Sequence, residues 1–255
     1  MSAVKAVSVA IGIAALFAAG CGGGNSTTTT QTTTTTTTGA GTTSLRVYFL
    51  RGGQVWPLAR EVPKTQAVAG AALDQLLLGP TKTEGYHVQV TTGIPSGTTV
   101  KSLAISGGVA TVALSSILSG APLAQVVYTL AQFPTVRSVS YEGKRYARAD
   151  FEAQTPPILV ESPLAFQAVT SPMRVTGTAD TFEATFQYEL ADADGKILSK
   201  HFETATSGSG TRGTFDFTVP FRVDHEQAGT LTVFELSAEN GSRVHVRYVP
   251  LQLEP

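Results

Sequence analysis

Apolar and polar residues recur with two different periods along this chain, and the pattern changes at Gln154-Thr155-Pro156-Pro157. Before this point, alternation with period two predicts strands, whereas apolar residues spaced three and four positions apart predict helices. The first part therefore reads as a strand, a helix, two or three strands, a second helix and a closing strand. The predicted elements are strands 45–50, 98–105, 109–114 and 136–141 and helices 65–78 and 122–131.

Turn and cap residues support these boundaries. Gly79-Pro80 is a typical helix stop, and Pro122 suits the first turn of the second helix. Ser106-Gly107-Gly108 separates two alternating runs and predicts a hairpin. We expect residues 44–153 to form an α+β domain, a small mixed sheet with helices on one face.

The second part, residues 154–255, shows only strand patterns. Asp194-Gly195 and Asn240-Gly241 lie between alternating runs and predict hairpin turns. Seven short strands in about 100 residues predict an all-β immunoglobulin-like sandwich. Two cysteines and a core tryptophan, as in antibody domains, are lacking, since Trp56 lies in the first domain. The predicted strands are 158–160, 173–175, 182–190, 197–202, 215–220, 230–236 and 244–253.

The chain opens with a different pattern. Lys5 precedes an apolar run, Ala6–Phe17, that ends in Ala18-Ala19-Gly20-Cys21. This layout resembles a lipoprotein signal peptide, with Ala18 where Leu is commonest, and the run is shorter than the roughly 20 residues of a membrane span. We expect residues 1–20 to be removed and the Cys21 thiol to carry a diacylglyceryl group with acyl chains such as palmitate. The alternative is a secretory signal cleaved near Ala19, which leaves a free thiol.

Residues 21–43 are almost entirely Gly, Ser, Asn and Thr, with homopolymeric threonine at 27–30 and 32–38. Such a composition cannot bury a core and predicts a disordered linker, which O-linked sugars would stiffen. A flexible chain of this length spans roughly 25 Å on average. We expect the folded part to stand on the outer face of the bacterial cytoplasmic membrane, anchored by lipid.

Charge and cysteine content narrow the function classes. The formal net charge is −1 at pH 7, so a nucleic-acid partner bound through a basic excess is not expected. Cys21 is the only cysteine, and the predicted domains therefore contain no disulfide.

Two motifs mimic cofactor and metal sites. Gly208-Ser-Gly-Thr-Arg-Gly213 matches a dinucleotide fingerprint, but an alternating strand follows it instead of a helix, so we interpret it as a flexible hairpin loop. Asp192-Ala-Asp-Gly195 resembles part of a calcium loop, but Leu190 occupies the first ligand position and no Glu closes the pattern. We expect a turn there and no cofactor at either place.

The histidines also fail to form a recognisable site. His87, His201, His225 and His245 are scattered, so no metal site is predicted. Asp224-His225-Glu226 combines an imidazole with carboxylates, but no nucleophile motif accompanies it, and we expect a solvated loop. No catalytic residues are assigned. In the last strand, Arg243, His245 and Arg247 alternate with apolar residues. They predict a basic face, either solvated or touching a wall polymer or a partner.

Certain stretches of the chain carry a resemblance to a known family. They are 45–50, 71–80, 93–98, 100–103, 108–115, 136–139, 160–163, 171–179, 182–184 and 194–195. Through them the first domain is similar to the sporulation and germination domain GerMN, and the second to the immunoglobulin-like domain that often follows it in bacterial lipoproteins. The resemblance implies a non-enzymatic envelope protein and supplies no catalytic residues.

Three hypotheses of function follow. The leading one is a structural or interaction module that assembles with itself or with an envelope protein, the sandwich acting as a spacer or second docking surface. The alternative is a lipoprotein that binds wall glycan or a small germinant. A wall hydrolase ranks last, because no paired carboxylates and no nucleophile with a base are evident.

Overall fold

The computed structural model describes residues 41–255, so the predicted signal peptide, Cys21 and most of the linker lie outside the described residues. Strand β1, Thr42–Arg51, turns through Gly52-Gly53 into β2, Gln54–Pro63. The two strands pair antiparallel over their full length, from Thr42↔Pro63 to Arg51↔Gln54. Both glycines have positive φ, 59° and 78°, as a two-residue hairpin turn requires.

Three helices belong to the first domain: α1, Val68–Leu77; α2, Lys82–His87; and α3, Ala121–Leu130. Helices α1 and α3 confirm the predicted pair. Helix α3 is buried on all sides, since eight of its ten residues are buried, and it packs against the hairpin as well as against the sheet described below. It is therefore the central element of this domain.

The short helix α2 is held by one carboxylate. Thr81 Oγ1 accepts a hydrogen bond from the Glu84 amide, and Glu84 Oε2 accepts one from the Thr81 amide, which forms a capping box. Glu84 also pairs with Arg60 on β2, and the Arg60 Nη2–Glu84 Oε2 distance is 2.7 Å. Burial by itself raises the pKa of Glu84, but the bonds from Arg60 and Thr81 outweigh it and lower that pKa.

A four-stranded mixed sheet completes the domain. Its strands are β3, Val100–Ser106; β4, Val109–Leu114; β5, Ser138–Tyr141; and β6, Lys144–Tyr146, in the order β3-β4-β5-β6. The neighbours β4 and β5 run parallel, connected through α3. The fold class is therefore confirmed, but the expectation that the first strand joins this sheet is wrong. Within residues 41–255, β1 pairs with β2 in a separate ribbon, because a full-length antiparallel partner follows it immediately.

A 3₁₀ segment, Arg148–Gln154, leads into the second domain, which is a sandwich. One sheet has the order β12-β9-β7, and the other has the order β11-β10-β13-β14-β8. All seven predicted strands are present, and the short β8 is added. The predicted strand 182–190 begins later than expected, because Phe182–Ala184 forms a 3₁₀ turn before β10. The strands are β7, Ile158–Ser162; β8, Ala168–Val169; β9, Met173–Ala179; β10, Thr185–Asp192; β11, Ile197–Thr204; β12, Gly213–Val219; β13, Gln227–Leu236; and β14, Arg243–Leu253.

Aromatic side chains fill the space between the two sheets. The ring centroids of Phe186 and Phe215 lie 4.9 Å apart, and those of Tyr188 and Phe217 lie 5.1 Å apart. Gly177 on β9 is needed here, because a Cβ atom at that position would collide with the Leu159 carbonyl oxygen and the Phe215 ring. Among the described residues, the helices are all too short or too polar to cross a membrane.

Candidate functional site

The two domains meet around a buried carboxylate, Glu161 on β7, whose exposed fraction is 8%. A register shift between Val160 and Ser162 interrupts the pairing of β7 with β9 at this residue. The carboxylate accepts a hydrogen bond from Tyr48 Oη on β1. Arg148 Nη1 lies 2.9 Å from Glu161 Oε1 and Arg46 Nη1 lies 3.7 Å from the same oxygen. Residues from both domains thus share one charge cluster.

Aromatic rings support the Arg148 cation. Its guanidinium lies 4.8 Å from the centroid of the Tyr128 ring and 5.4 Å from that of Tyr48. Burial raises the pKa of Tyr48, and the neighbouring Glu161 adds to the increase. Burial by itself lowers the pKa of Arg148, but Tyr48 and Glu161 outweigh it and raise that pKa. Tyr48 therefore stays protonated and donates to Glu161, so the cluster holds charges in place rather than exchanging protons.

Polar and apolar contacts extend this seam on both sides. Arg212 pairs with Glu152, with Nε–Oε1 at 2.9 Å, and donates to the Pro156 carbonyl at 3.0 Å. Arg247 Nη2 on β14 donates to Gln54 Oε1 on β2 at 2.6 Å. Leu159 of the second domain belongs to the apolar core of the first. The described residues, 41–255, accordingly form one compact unit in place of two bodies on a hinge.

A second surface of interest is an apolar groove beside β3, with a volume of about 920 Å³. In the pairing of β3 with β4, Leu103 lies opposite Val112 and Ile105 lies opposite Ala110, and both of these β4 residues are buried. Ile105 itself is 41% exposed. The groove is closed by the first turn of α1 and the loop after α3. Its apolar lining includes Val68, Leu103, Ile105 and Phe133.

Apolar side chains protrude at the opposite end of the helix pair. The groove lies at the start of α1 and after the end of α3, so these helices run antiparallel. Leu78 follows α1 and is 76% exposed, and Ile117 precedes α3 and is 83% exposed. Thr98 lies between the two residues. It lines a depression together with Leu78, and its Oγ1 lies 2.9 Å from Oγ of Ser116, the residue before Ile117. We call Leu78 and Ile117 the apolar knob.

Several residues singled out in the sequence do not form a site. Asp192–Gly195 is a turn, in which Asp192 Oδ1 accepts from the amides of Asp194 and Lys196. Residues 208–212 form a loop that leads into β12 at Gly213, but the hairpin interpretation is wrong, because the flanking strands β11 and β12 belong to different sheets. Asp224-His225-Glu226 is an exposed loop. Within residues 41–255, no cluster of three or more His, Cys, Asp or Glu side chains has a geometry suited to a metal ion.

The three basic residues predicted to form one face of β14 each contact a different partner. Arg243 pairs with Glu189 at 2.7 Å, and His245 Nδ1 lies 2.8 Å from Glu235 Oε2. Arg247 instead joins the domain seam, and burial lowers its pKa. The pairing of β13 with β14 shifts register beside His245, which breaks the strict alternation of the strand. These side chains therefore do not form one free cationic stripe.

The domain seam escaped the sequence interpretation. Glu161 carried a signal, since it is the one charged residue in the apolar run Ile158–Ser162, and a charge in a buried strand requires a partner. Tyr48 and Arg148 carried no such signal in the sequence, because their partner Glu161 is more than ten positions away and in another domain. Cys21, the predicted lipid attachment site, lies outside the described residues.

Comparison with known proteins now gives these domains a family. Residues 46–145 match the family of sporulation and spore germination, and residues 157–242 match the immunoglobulin-like domain of bacterial spore germination. No curated protein matches the chain.

Among solved structures, the tandem GerMN domains of the sporulation protein GerM from Bacillus subtilis are 25% identical, with 40% of each chain covered and a TM-score of 0.34. The first GerMN domain of that protein is 20% identical over 41% of this chain and 86% of that chain, with a TM-score of 0.28. The match therefore spans less than half of the tandem-domain structure. On the family matches and the fold described above, the chain contains a sporulation and spore germination domain followed by an immunoglobulin-like domain of bacterial spore germination.

Proposed function

We propose that this protein is a lipid-anchored, non-enzymatic interaction module of the bacterial envelope that associates with further copies of itself through its first domain. In this proposal, lipid on Cys21 holds the chain at the outer face of the cytoplasmic membrane, and the second domain acts as a rigid spacer. The matched families, which concern sporulation and spore germination, support a role in those processes.

The observation that carries the proposal is the placement of the groove and the apolar knob at opposite ends of one helix pair. Val68, Leu103 and Ile105 offer an apolar recess at one end, while Leu78 and Ile117 project at the other. Insertion of the knob of one copy into the groove of the next is a head-to-tail contact, and such contacts generate rings or open filaments. Burial of apolar surface supplies the driving force.

The edge of β3 favours side-chain insertion over strand pairing. A register shift between Val100 and Ser102 leaves Lys101 unmatched opposite β4. Bulges and lysines on edge strands oppose backbone pairing with another sheet. We therefore place the contact in the groove and not along the backbone of β3.

The test uses the full chain in detergent micelles and measures its mass distribution by analytical ultracentrifugation, alongside crosslinking in intact cells. We expect concentration-dependent oligomers for the natural chain. Ile105→Lys in the groove and Ile117→Lys in the knob should each give monomers. Tyr248→Lys, at an exposed aromatic residue in the second domain, serves as the matched control and should still associate.

Mixing the two defective variants makes the test specific. The intact groove of Ile117→Lys can still receive the intact knob of Ile105→Lys, so an equal mixture should form dimers and nothing larger. Monomers of the natural chain at native membrane levels, or a mixture that stays monomeric, would refute the head-to-tail proposal.

A further inference from the structure

A polar groove runs along the domain seam, where the first domain meets the outer face of β9 and β12. It has a volume of about 680 Å³ and adjoins a second depression of about 390 Å³. The two share Arg46, Glu161, Arg174 and Thr176 and so form one continuous channel. A channel of this size accommodates a few units of a linear polymer or one small molecule.

The floor of this channel is made of hydroxyl and charged groups. Thr214 pairs with Thr178, and Asp216 pairs with Thr176, so the side chains of these two pairs lie on the same outer face of the sheet. Thr204 and Thr206 extend the hydroxyl surface toward β11. The groove beside β3 has an apolar lining, and the two surfaces therefore suit different ligands.

Charge in the channel is unequal. Its lining carries three cations, Arg46, Arg148 and Arg174, against two carboxylates, Glu161 and Asp216. Arg148 is committed to Glu161 at 2.9 Å, and Arg174 is committed to Asp216 through two bonds of 2.8 and 2.5 Å. The lining therefore has one positive charge in excess of its carboxylates.

That charge belongs to Arg46. Its Nη1 donates to the Glu161 carbonyl at 3.2 Å, but the carboxylate is 3.7 Å away and already bound to Arg148 and Tyr48. Within residues 41–255, the Nε and Nη2 groups of Arg46 have no hydrogen-bond acceptor, and 31% of the side chain is exposed. A guanidinium with open donors at a groove wall is suited to binding a phosphate or carboxylate.

We infer that this channel binds a segment of an anionic, hydroxyl-rich polymer, with Arg46 holding the anionic group. The Thr176 and Thr204 hydroxyls, which bond to no other described residue, and the Arg174–Asp216 pair then hydrogen-bond to the hydroxyls of the ligand. A polyol phosphate has this combination of groups. The inference does not depend on the proposed self-association, which uses other residues, those of the groove beside β3 and of the apolar knob.

The experiment titrates the full chain in detergent micelles with oligomers of glycerol phosphate, by isothermal titration calorimetry. Neutral dextran oligosaccharide and inorganic phosphate are the comparison probes. We expect the oligomer to bind, to bind more weakly as NaCl is raised, and to bind more tightly than either comparison probe. Arg46→Gln should weaken binding by about tenfold or more, because a charge-assisted bond is lost.

A conservative pair of variants isolates the hydroxyl contribution. Thr176→Val keeps the shape and strand preference of the side chain, and it should weaken binding about fivefold through loss of one hydrogen bond. Thr218→Val is the control, since Thr218 lies on the outer face of the same sheet but does not line the channel. Circular dichroism establishes that each variant is folded. Thr176→Val decides the matter should Arg46→Gln fail to fold.

Three results would overturn the inference. The first is no heat of binding at millimolar glycerol phosphate oligomer. The second is equal binding of neutral dextran or of inorganic phosphate, which would mean that only hydroxyls or only the anion are recognised. The third is equal binding by Thr176→Val and Thr218→Val.

Discussion

Replacing Glu161 by Gln tests whether the seam carries stability. The natural chain places Arg148 Nη1 2.9 Å from the carboxylate. At a charge separation of about 4 Å and an effective dielectric constant of about 20, the gross attraction is about 4 kcal/mol. Arg148 retains 26% exposure of its side chain, and the glutamine oxygen still accepts hydrogen bonds. We therefore expect Glu161→Gln to lower the free energy of unfolding by about 2–3 kcal/mol.

The assay is urea denaturation of the full chain in micelles, followed by tryptophan fluorescence. Trp56 is a suitable reporter because it is buried and lines the seam. Circular dichroism follows both domains at once. For the natural chain the two signals should change together, whereas for Glu161→Gln we expect the fluorescence change to precede the loss of strand signal.

The matched control is Glu189→Gln. Glu189 also pairs with an arginine, Arg243, through two bonds of 2.9 and 2.7 Å, but the side chain of that arginine is 49% exposed. An ion pair in water contributes little, so the control should cost less than about 1 kcal/mol. If Glu161→Gln costs no more than Glu189→Gln, the reasoning about the buried cluster is wrong.

Three further predictions follow from single side chains. The folded-state pKa of Glu84 lies below its unfolded value of about 4.3, so the stabilisation from its ionised form is complete above that pH and is lost as the pH falls through the folded-state pKa. Urea titrations from pH 6 to 3 should therefore show a shallower loss of stability for Glu84→Gln than for the natural chain. An identical slope would contradict this. Gly177→Ala should destabilise the sandwich by about 2 kcal/mol or more, because the new Cβ atom would meet fixed backbone. Gly70→Ala, where the Cβ atom would enter open space in α1, should instead stabilise the protein by about 0.5–1 kcal/mol. Thermal melts measure both effects, and equal effects would contradict the packing argument. Cys21→Ala should release the chain from the membrane fraction in cell fractionation, and retention in the membrane would refute lipid attachment.

The sequence predicted most elements because their periodicity is local. The two long helices and the seven strands of the sandwich follow from apolar spacing and turn residues, without any knowledge of distant contacts. Strand β2 was missed, since Pro57 and Arg60 interrupt its alternation; it forms because β1 provides a complete antiparallel partner. Helix α2 was missed because six residues are too few for a periodic signal.

The sites were less predictable than the elements. The Glu161 cluster depends on Tyr48 and Arg148, which approach the carboxylate only after both domains have folded. The channel depends on the outer face of one sheet meeting a wall from the other domain, and a run of threonines on strands is ordinary in itself. Such juxtapositions between domains leave no pattern within either segment.

The core of the first domain includes Leu159 and Ala165, which lie after the boundary near residue 155. A protease cut or stop codon between the domains would strip two apolar side chains from a layer that belongs to the upstream half. The amino-terminal fragment would then expose an apolar surface where those residues had packed. We therefore expect the two domains to be inherited, expressed and degraded together, as one unit.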